Sequence, residues 1–518
     1  MQKGCIKMKY KLKEYPELKV KVETMAVEDM LRTIICPFIW PDYPTPTKTG
    51  AVFLHPRTVP EANAMTEEIN GGRENPALIV SDMECGPGNA IVGAVKFPSM
   101  RAVGEAGSVE DAYEMGVIAA KQAREAGYHW TLGPCVDIAF NHNSPIVSIR
   151  SAGTDADTII KYSGAYIDGL QDNGLIATIK HFPGDGLPFD DQHLTVSTNP
   201  LSKEEWDKTY GKVYKTLIDK GVKAVMPGHI ALPSYDDPDE NGIYPPGSLS
   251  KKLLVDLLRG ELGFEGIIVS DAVNMTGFSG YMNLYKACCR FLELGGDCLL
   301  FMCDTNEYIE EMKKCIEEGY LSLETLKLRA YRMLCFAKEY FENAPQNEEL
   351  NIDVEAAEAA AKRVAVNATK IIRDRQNILP LKLRKDGKIL HVILYNDWEV
   401  NNDCAEEVNA KLEQFTTVEV LKNPHDFALM EKAKSGEYDY IVCSVIERGS
   451  YAIQTARLCG LAGRSMMSGW MKFKTPVVFI DYFNCNFSYT FNAVADTMIN
   501  TYGFTKYTAD AIIDRLTK

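Results

Sequence analysis

SKKLLVDLLRGELGFEGIIVSDA, residues 250–272, decides how the first part of the chain is read. Leu253, Leu254, Leu257 and Leu258 recur at helical spacing, and Gly263 sits where such a helix would stop. GIIVSDA (266–272) is then a short apolar run suited to a buried strand, and it breaks off in a carboxylate, Asp271. Working outward, strand-like runs recur between about residues 50 and 340: AVFLH (51–55), ALIVSD (77–82), TLGPCVD (131–137), IATIKH (176–181), AVMPGH (224–229) and CLLFMCD (298–304). DAYEMGVIAAKQAREAGY (111–128) supplies a further amphipathic helix that ends at Gly127. Strands alternating with helices imply a parallel sheet with crossover helices. About six to eight such units in roughly 300 residues lean towards a (β/α)8 barrel. Nearly every strand ends in a residue able to do chemistry: Asp82, Asp137, His181, His229 and Asp271. A barrel gathers those ends at one face, although an open doubly wound sheet also concentrates residues there.

Beyond this series, the polar stretch ENAPQNEELNID (342–353) reads as a linker. The predicted organisation is a barrel over 1–341, the linker 342–353, and a smaller α/β sandwich over 354–518. In the second domain a helix is expected over 353–371, strands at KILHVILY (388–395), TVEVL (417–421), YIVCSVI (440–446) and PVVFIDYF (476–483), and a closing helix near 507–517. Neither GxGxxG nor GxxxxGK occurs there, so no nucleotide cofactor is expected.

Composition narrows the classes. The 518 residues exceed what one core serves, and 46% apolar with 25% charged residues is ordinary for a globular chain. A net charge of -15 with no dense Lys/Arg block argues against nucleic acid or an anionic membrane surface as partner. No apolar span approaches the ~20 residues of a membrane helix. The start, MQKGCIKMKYKLKEYPELKVKVE, is polar rather than a signal core, so a cytoplasmic location is expected. The 14 cysteines scatter from Cys5 to Cys485 without CxxC pairs and read as reduced core thiols. The Asn-x-Ser/Thr matches at Asn367 and Asn486 have no secretory context and read as chance.

The densest chemical signal is KHFPGDGLPFDDQH (180–193). A strand delivers Lys180 and His181, then Pro183, Gly184 and Gly186 force a tight loop. Asp191 and His193 follow two apart, a spacing that in extended backbone puts a carboxylate and an imidazole on one side. An isolated D-x-H is usually a solvated loop pair, but one crowded with lysine, histidine and aspartate is costly to bury for stability alone. Asp271 reads equally as a reactive carboxylate or a helix cap, and His229 equally as a site or core residue.

These motifs, with SPIVSIRSAG (144–153), PPGSLSKKLLVDLLRGELGFEGIIVSD (245–271) and LGGDCLL (294–300), stand in the order found in glycoside hydrolase family 3. The chain resembles most the family's bacterial β-N-acetylglucosaminidase branch, the NagZ-like enzymes, from about residue 75 to 340. The likeness continues more weakly through NATKIIRDRQNILPL (367–381). The resemblance implies a (β/α)8 barrel followed by an α/β sandwich, and a retaining, exo-acting β-glycosidase without metal or cofactor whose partner is a small β-glycoside. It implies Asp271 as nucleophile, and His193, polarised by Asp191, as acid/base. Asp82, Arg150, Lys180 and His181 would hydrogen-bond the reacting sugar, with His229 and Met275 lining its subsite. Retention needs a carboxylate below the anomeric carbon and a proton donor at the leaving oxygen, a task a histidine titrating near neutrality can perform. The chain departs from the family where the acidic motif usually continues Glu-Gly-Gly-Arg, since here Glu84 is followed by Cys85, Gly86 and Pro87, and in the LPFD loop (187–190).

Other readings remain beside this one. A β-glucosidase or β-xylosidase of the same family generally takes its acid/base carboxylate from the second domain and lacks the D-x-H. A phosphorylase would transfer the sugar to inorganic phosphate, which a neutral histidine does not repel as a carboxylate would. A non-catalytic sugar-binding homologue would keep the fold. Metal-dependent hydrolysis by His181, His193 and His229 lacks any spacing of the HExxH kind.

Overall fold

The computed structural model describes residues 8–39, 48–302, 305–345, 352–396, 403–449, 452, 457–484 and 486–518. It divides into two compact units: Met1–Val95, Ala112–Ile138 and Thr154–Ala357 form the first, and Lys96–Asp111, Ala139–Gly153 and Glu358–Lys518 the second. Of the linker segment 342–353, residues 346–351 lie outside the described residues.

In the first unit eight parallel strands follow one another around a barrel: β1 Ile35–Cys36, β2 Ala51–Phe53, β3 Leu78–Ser81, β4 Trp130–Thr131, β5 Ile176–Phe182, β6 Ala224–Pro227, β7 Ile267–Ala272 and β8 Cys298–Leu300. β8 pairs with β1, and the ring closes where Phe53 N donates to Pro37 O (2.9 Å) and Ile39 N to Phe53 O (3.3 Å). Both faces of these strands are covered, which is why they read as continuous apolar runs rather than alternating ones. TLGPCVD shortens to the Trp130–Thr131 ladder, because Pro134 has no N–H to give; Cys135 rejoins the sheet only as a bridge to Lys180. β1 has no counterpart among the strands expected from sequence, being two residues ahead of Pro37. The leucine-rich segment is helical as read, wound with π-type bonding over Lys252–Glu261, with Leu253, Leu254, Leu257 and Leu258 buried.

An ion cluster fixes the N-terminal ends of β7 and β8. Asp297 is fully buried and accepts from Arg332 Nε (2.7 Å), Arg259 Nη2 (2.9 Å) and the Ile268 N–H (2.9 Å), with Arg329 at 3.5 Å. Burial pushes the Asp297 carboxyl up, but the three guanidiniums outweigh it and hold the group at about 2. An unfolded aspartate titrates near ~3.9, so this contribution is complete above that pH and is lost as pH falls towards about 2. Asp297→Asn is expected to cost about 3–5 kcal/mol at pH 7, because it strands buried charge. The gap from the unsubstituted protein should narrow between pH 4 and pH 2, read by denaturant unfolding across a pH series; a constant gap would show that charge is not its source.

The second unit is a six-stranded sheet of β9 Lys370–Asp374, β10 Lys388–Tyr395, β11 Thr417–Lys422, β12 Tyr440–Ile446, β13 Val477–Asp481 and β14 Thr497–Asn500, in the order β9-β14-β13-β12-β10-β11. All pairs are parallel except β9 with β14. Ile389, Ile393, Val442 and Ile480 face one apolar layer with Leu412, Ile512 and Leu516, while Leu390, Val392, Cys443 and Phe479 face another with Leu429 and Trp470. That division by alternate residues is what a sheet covered by helices on both faces requires. The helix expected over 353–371 ends at Ala368, and the chain turns at once into β9, a half-exposed edge strand whose KIIRD carries no buried alternation. β14 was likewise not among the expected strands.

None of the eleven described cysteines is in a disulfide; ten are buried and Cys459 is exposed. Among the described residues no helix is long and apolar enough to cross a membrane.

Candidate active site

β5 delivers Lys180 and His181 to the C-terminal mouth of the barrel, and both are buried. A buried lysine needs partners. Lys180 Nζ finds Glu84 Oε1 at 2.6 Å and Asp82 Oδ1 at 3.1 Å, both just beyond β3. His181 Nδ1 lies 2.7 Å from Asp137 Oδ2. Asp137 is fully buried and also accepts the His181 N–H (3.2 Å), the Asp185 N–H (2.7 Å) and the Cys135 thiol (3.0 Å). Burial drives this carboxyl up; His181 and the converging donors hold it below its ordinary value instead. The ligand atoms of Cys135, Asp137 and His181 lie within 4.8 Å of one another, and those same hydrogen bonds account for the grouping.

On its other side His181 faces β7: Nε2 stands 3.9 Å from Asp271 Oδ2. The Asp271 side chain is 14% exposed, and Oδ1 takes the N–H of Ala272 at 2.8 Å. Burial alone would raise its pKa, but His181, His229, His193 and Lys180 together hold it below the usual carboxylate range. The group is therefore an anion at neutral pH. His229 Nε2 points at the carbonyl of Ala272 (3.2 Å), which can only accept, so Nε2 carries the proton and Nδ1 accepts from Ser248 Oγ (2.9 Å). Burial pushes its pKa down, which keeps the ring neutral.

The loop after β5 is packed in place rather than loose at its root. Gly184 has φ +123 and lies on the Tyr210 ring, where a Cβ would come within 2.2 Å of Cδ1; the Tyr210 hydroxyl donates to Asp185 O. Asp191 is buried, and its Oδ1 accepts both the His193 backbone N–H (2.9 Å) and His193 Nδ1 (2.6 Å). The imidazole itself is 28% exposed. Thr276 N donates to His193 O (3.0 Å), and at Gly277 a Cβ would meet Gln192 O at 2.5 Å and Thr195 O at 2.7 Å. The segment after Asp271 and the segment carrying His193 are thus held backbone to backbone. Met275, buried, folds back on Ala272 O at 3.1 Å.

Of the residues singled out in the sequence, Asp271, His193, Asp191, Lys180, His181, His229, Met275 and Asp82 all belong to this one barrel mouth. Arg150 belongs to the second unit, where it ends the turn Ser148–Arg150 and donates to Ile146 O (3.3 Å). Three side chains had no role assigned from sequence: Glu84, Asp137 and Ser248. Asp137 had a signal, as a strand-end carboxylate; Ser248, in a run of PPGSLS, had none.

The family model for the glycosyl hydrolase family 3 N terminal domain matches residues 50–335. The chain is 28% identical over 488 residues to a beta-N-acetylglucosaminidase/beta-glucosidase of Cellulomonas fimi, spanning 90% of this chain and 86% of that one. It is also 28% identical over 276 residues to a beta-hexosaminidase of Methylobacillus flagellatus, 51% of this chain and 76% of the relative. Among solved structures, the beta-glucoside phosphorylase BglX bound to 2FGlc superposes with a TM-score of 0.87 at 25% identity, over 100% of this chain and 97% of that one. A family 3 beta-N-acetylglucosaminidase from Paenibacillus sp. shares the fold, with a TM-score of 0.78 at 20% identity over 95% and 97% of the two chains.

Proposed function

Because the chain belongs to glycosyl hydrolase family 3, where its relatives are β-glycosidases, we propose that it cleaves β-glycosides with retention through a covalent glycosyl-enzyme on Asp271, and that β-N-acetylglucosaminides are its preferred substrates. The observation that carries this reading is the Asp271 carboxylate at the end of β7, with Oδ2 3.9 Å from His181 Nε2 and Oδ1 on the Ala272 N–H at the mouth of the barrel. An anion so held is a ready nucleophile for an electron-poor anomeric carbon. Asp271 attacks that carbon as the bond to the leaving oxygen breaks, and His193 gives that oxygen its proton. In the second step neutral His193 takes a proton from water, which attacks the same carbon and releases Asp271. Asp191 orients the His193 ring through Nδ1. Asp82, Lys180 and His181, gathered at the barrel mouth, bind the sugar hydroxyls, and His229 and Met275 line the subsite. The division into a catalytic barrel over 1–341, a linker over 342–353 and an α/β sandwich over 354–518 is part of the same proposal, as is action on small glycosides in the cytoplasm.

A second acceptor deserves its own test. The beta-glucoside phosphorylase likeness spans nearly all of both chains, and a histidine acid/base does not repel phosphate as a carboxylate would. Phosphate would then replace water in the second step and leave a sugar 1-phosphate. The assay uses aryl β-N-acetylglucosaminide and aryl β-glucoside, each with and without phosphate. kcat/KM for the former is expected to exceed that for the latter by about tenfold or more, the scale at which one recognised group separates two substrates. Reducing sugar is expected as the product. A higher kcat/KM on the glucoside overturns the substrate reading; sugar 1-phosphate as the main product replaces hydrolysis by phosphorolysis.

A further inference from the structure

We propose that Asp137 is a positioning residue of this reaction, one that fixes a proton on His181 Nδ1 and so presents His181 Nε2 to the substrate beside Asp271. The inference rests on Asp271 being the nucleophile. Asp137 is fully buried and sits behind His181, so it acts through that ring and does not itself touch substrate. An ionised carboxylate only accepts hydrogen bonds, and four donors converge on this one: His181 Nδ1, the N–H groups of His181 and Asp185, and the Cys135 thiol. Nδ1 therefore carries hydrogen. Whether or not Nε2 is also protonated, the tautomer with a bare Nδ1 is excluded.

Nε2 then stands 3.9 Å from Asp271 Oδ2, beyond hydrogen-bond reach but close enough for both atoms to bear on one sugar hydroxyl. The same carboxylate, through the Asp185 N–H, also holds the root of the loop that carries His193. A purely structural role would stop at that backbone contact. The proposed role adds the imidazole proton, and the two can be separated. In Asp137→Asn the amide oxygen can still accept from backbone, but its N–H groups facing Nδ1 would force the His181 proton to Nε2.

The test is a double-mutant cycle on kcat/KM with the aryl glycoside that turns over best. Asp137→Asn is expected to lower kcat/KM about 10- to 100-fold, the scale of one hydrogen bond to a charged group. His181→Ala should lose at least as much, and the double variant should match His181→Ala within about twofold. Losses that multiply would show Asp137 acting independently of His181 and overturn the proposal. A second measurement needs no variant of Asp137 to fold: in protein labelled with 15N-histidine, the resonances that vanish in His181→Ala should report a hydrogen on Nδ1. A ring protonated at Nε2 alone overturns the proposal. Trapping with a 2-fluoro glycoside keeps the two readings apart, since a label away from Asp271 removes the nucleophile assignment whatever the cycle gives for residues 137 and 181.

Discussion

Asp271→Ala is expected to lower kcat on every glycoside by on the order of a hundred-thousandfold, the scale seen when a covalent nucleophile is removed, while the protein stays folded. The backbone around it is held by other contacts: Oδ1 takes only the N–H of the adjacent Ala272, and β7 keeps its ladder to β6 and β8. What disappears is the anion that His181 Nε2 faces at 3.9 Å. The complementary measurement is positive. A 2-deoxy-2-fluoro glycoside with a good leaving group slows both steps but the first less, so the ester on the nucleophile accumulates. Peptide mass mapping should place that ester within GIIVSDA (266–272). A label on Asp82 or Glu84, the other carboxylates paired at Lys180, would sink the assignment, as would an Asp271→Ala variant retaining a hundredth of its activity.

His193→Ala should show a loss that depends on the leaving group. A poor leaving group needs the proton in the transition state, so its kcat/KM should fall about 10²- to 10⁴-fold. An activated nitrophenyl leaving group needs little help in the first step. Its glycosyl-enzyme still forms on Asp271, but no base then activates water, so a burst followed by slow turnover is expected. Azide, which needs no base, should speed the second step and yield a glycosyl azide. Asp191→Asn should give a weaker form of the same pattern, because it leaves the ring but removes the carboxylate that grips Nδ1 at 2.6 Å. A histidine that merely bound sugar would raise KM alike for good and poor leaving groups, with neither burst nor azide response. That uniform result across three or four aryl glycosides would falsify the acid/base role.

Much of the fold was legible because its signals are local. Buried parallel strands must be apolar on both faces, so the runs at 51–55, 77–82, 176–181, 224–229 and 266–272 stood out, and so did 388–395 and 440–446. The elements that escaped lack that signal. β1 is two residues long, and β9 is a polar edge strand that follows its helix with no break in composition. The candidate site was legible where a motif crowded chemistry into one segment, as in 180–193. It was not legible at Ser248, whose importance lies in what stands opposite it, and at Asp137 only the place at a strand end was legible, not its partner.

The alternation of strand and helix, the reactive residue types at the strand ends, and the pairing of Asp191 with His193 two positions apart are all written in the order of residues. Each follows from spacing along one segment, where backbone geometry alone fixes which side chains share a face. That Lys180 lies between Asp82 and Glu84, that His181 stands between Asp137 and Asp271, and that the His193 carbonyl is tied to Thr276 came from the folded chain alone. These contacts join residues from different strands, and their charges act on one another only because closing the barrel removes the water between them. The state of Asp271 is the clearest case: desolvation and four neighbouring cationic or imidazole groups oppose each other there, and which prevails depends on distances that no single segment contains.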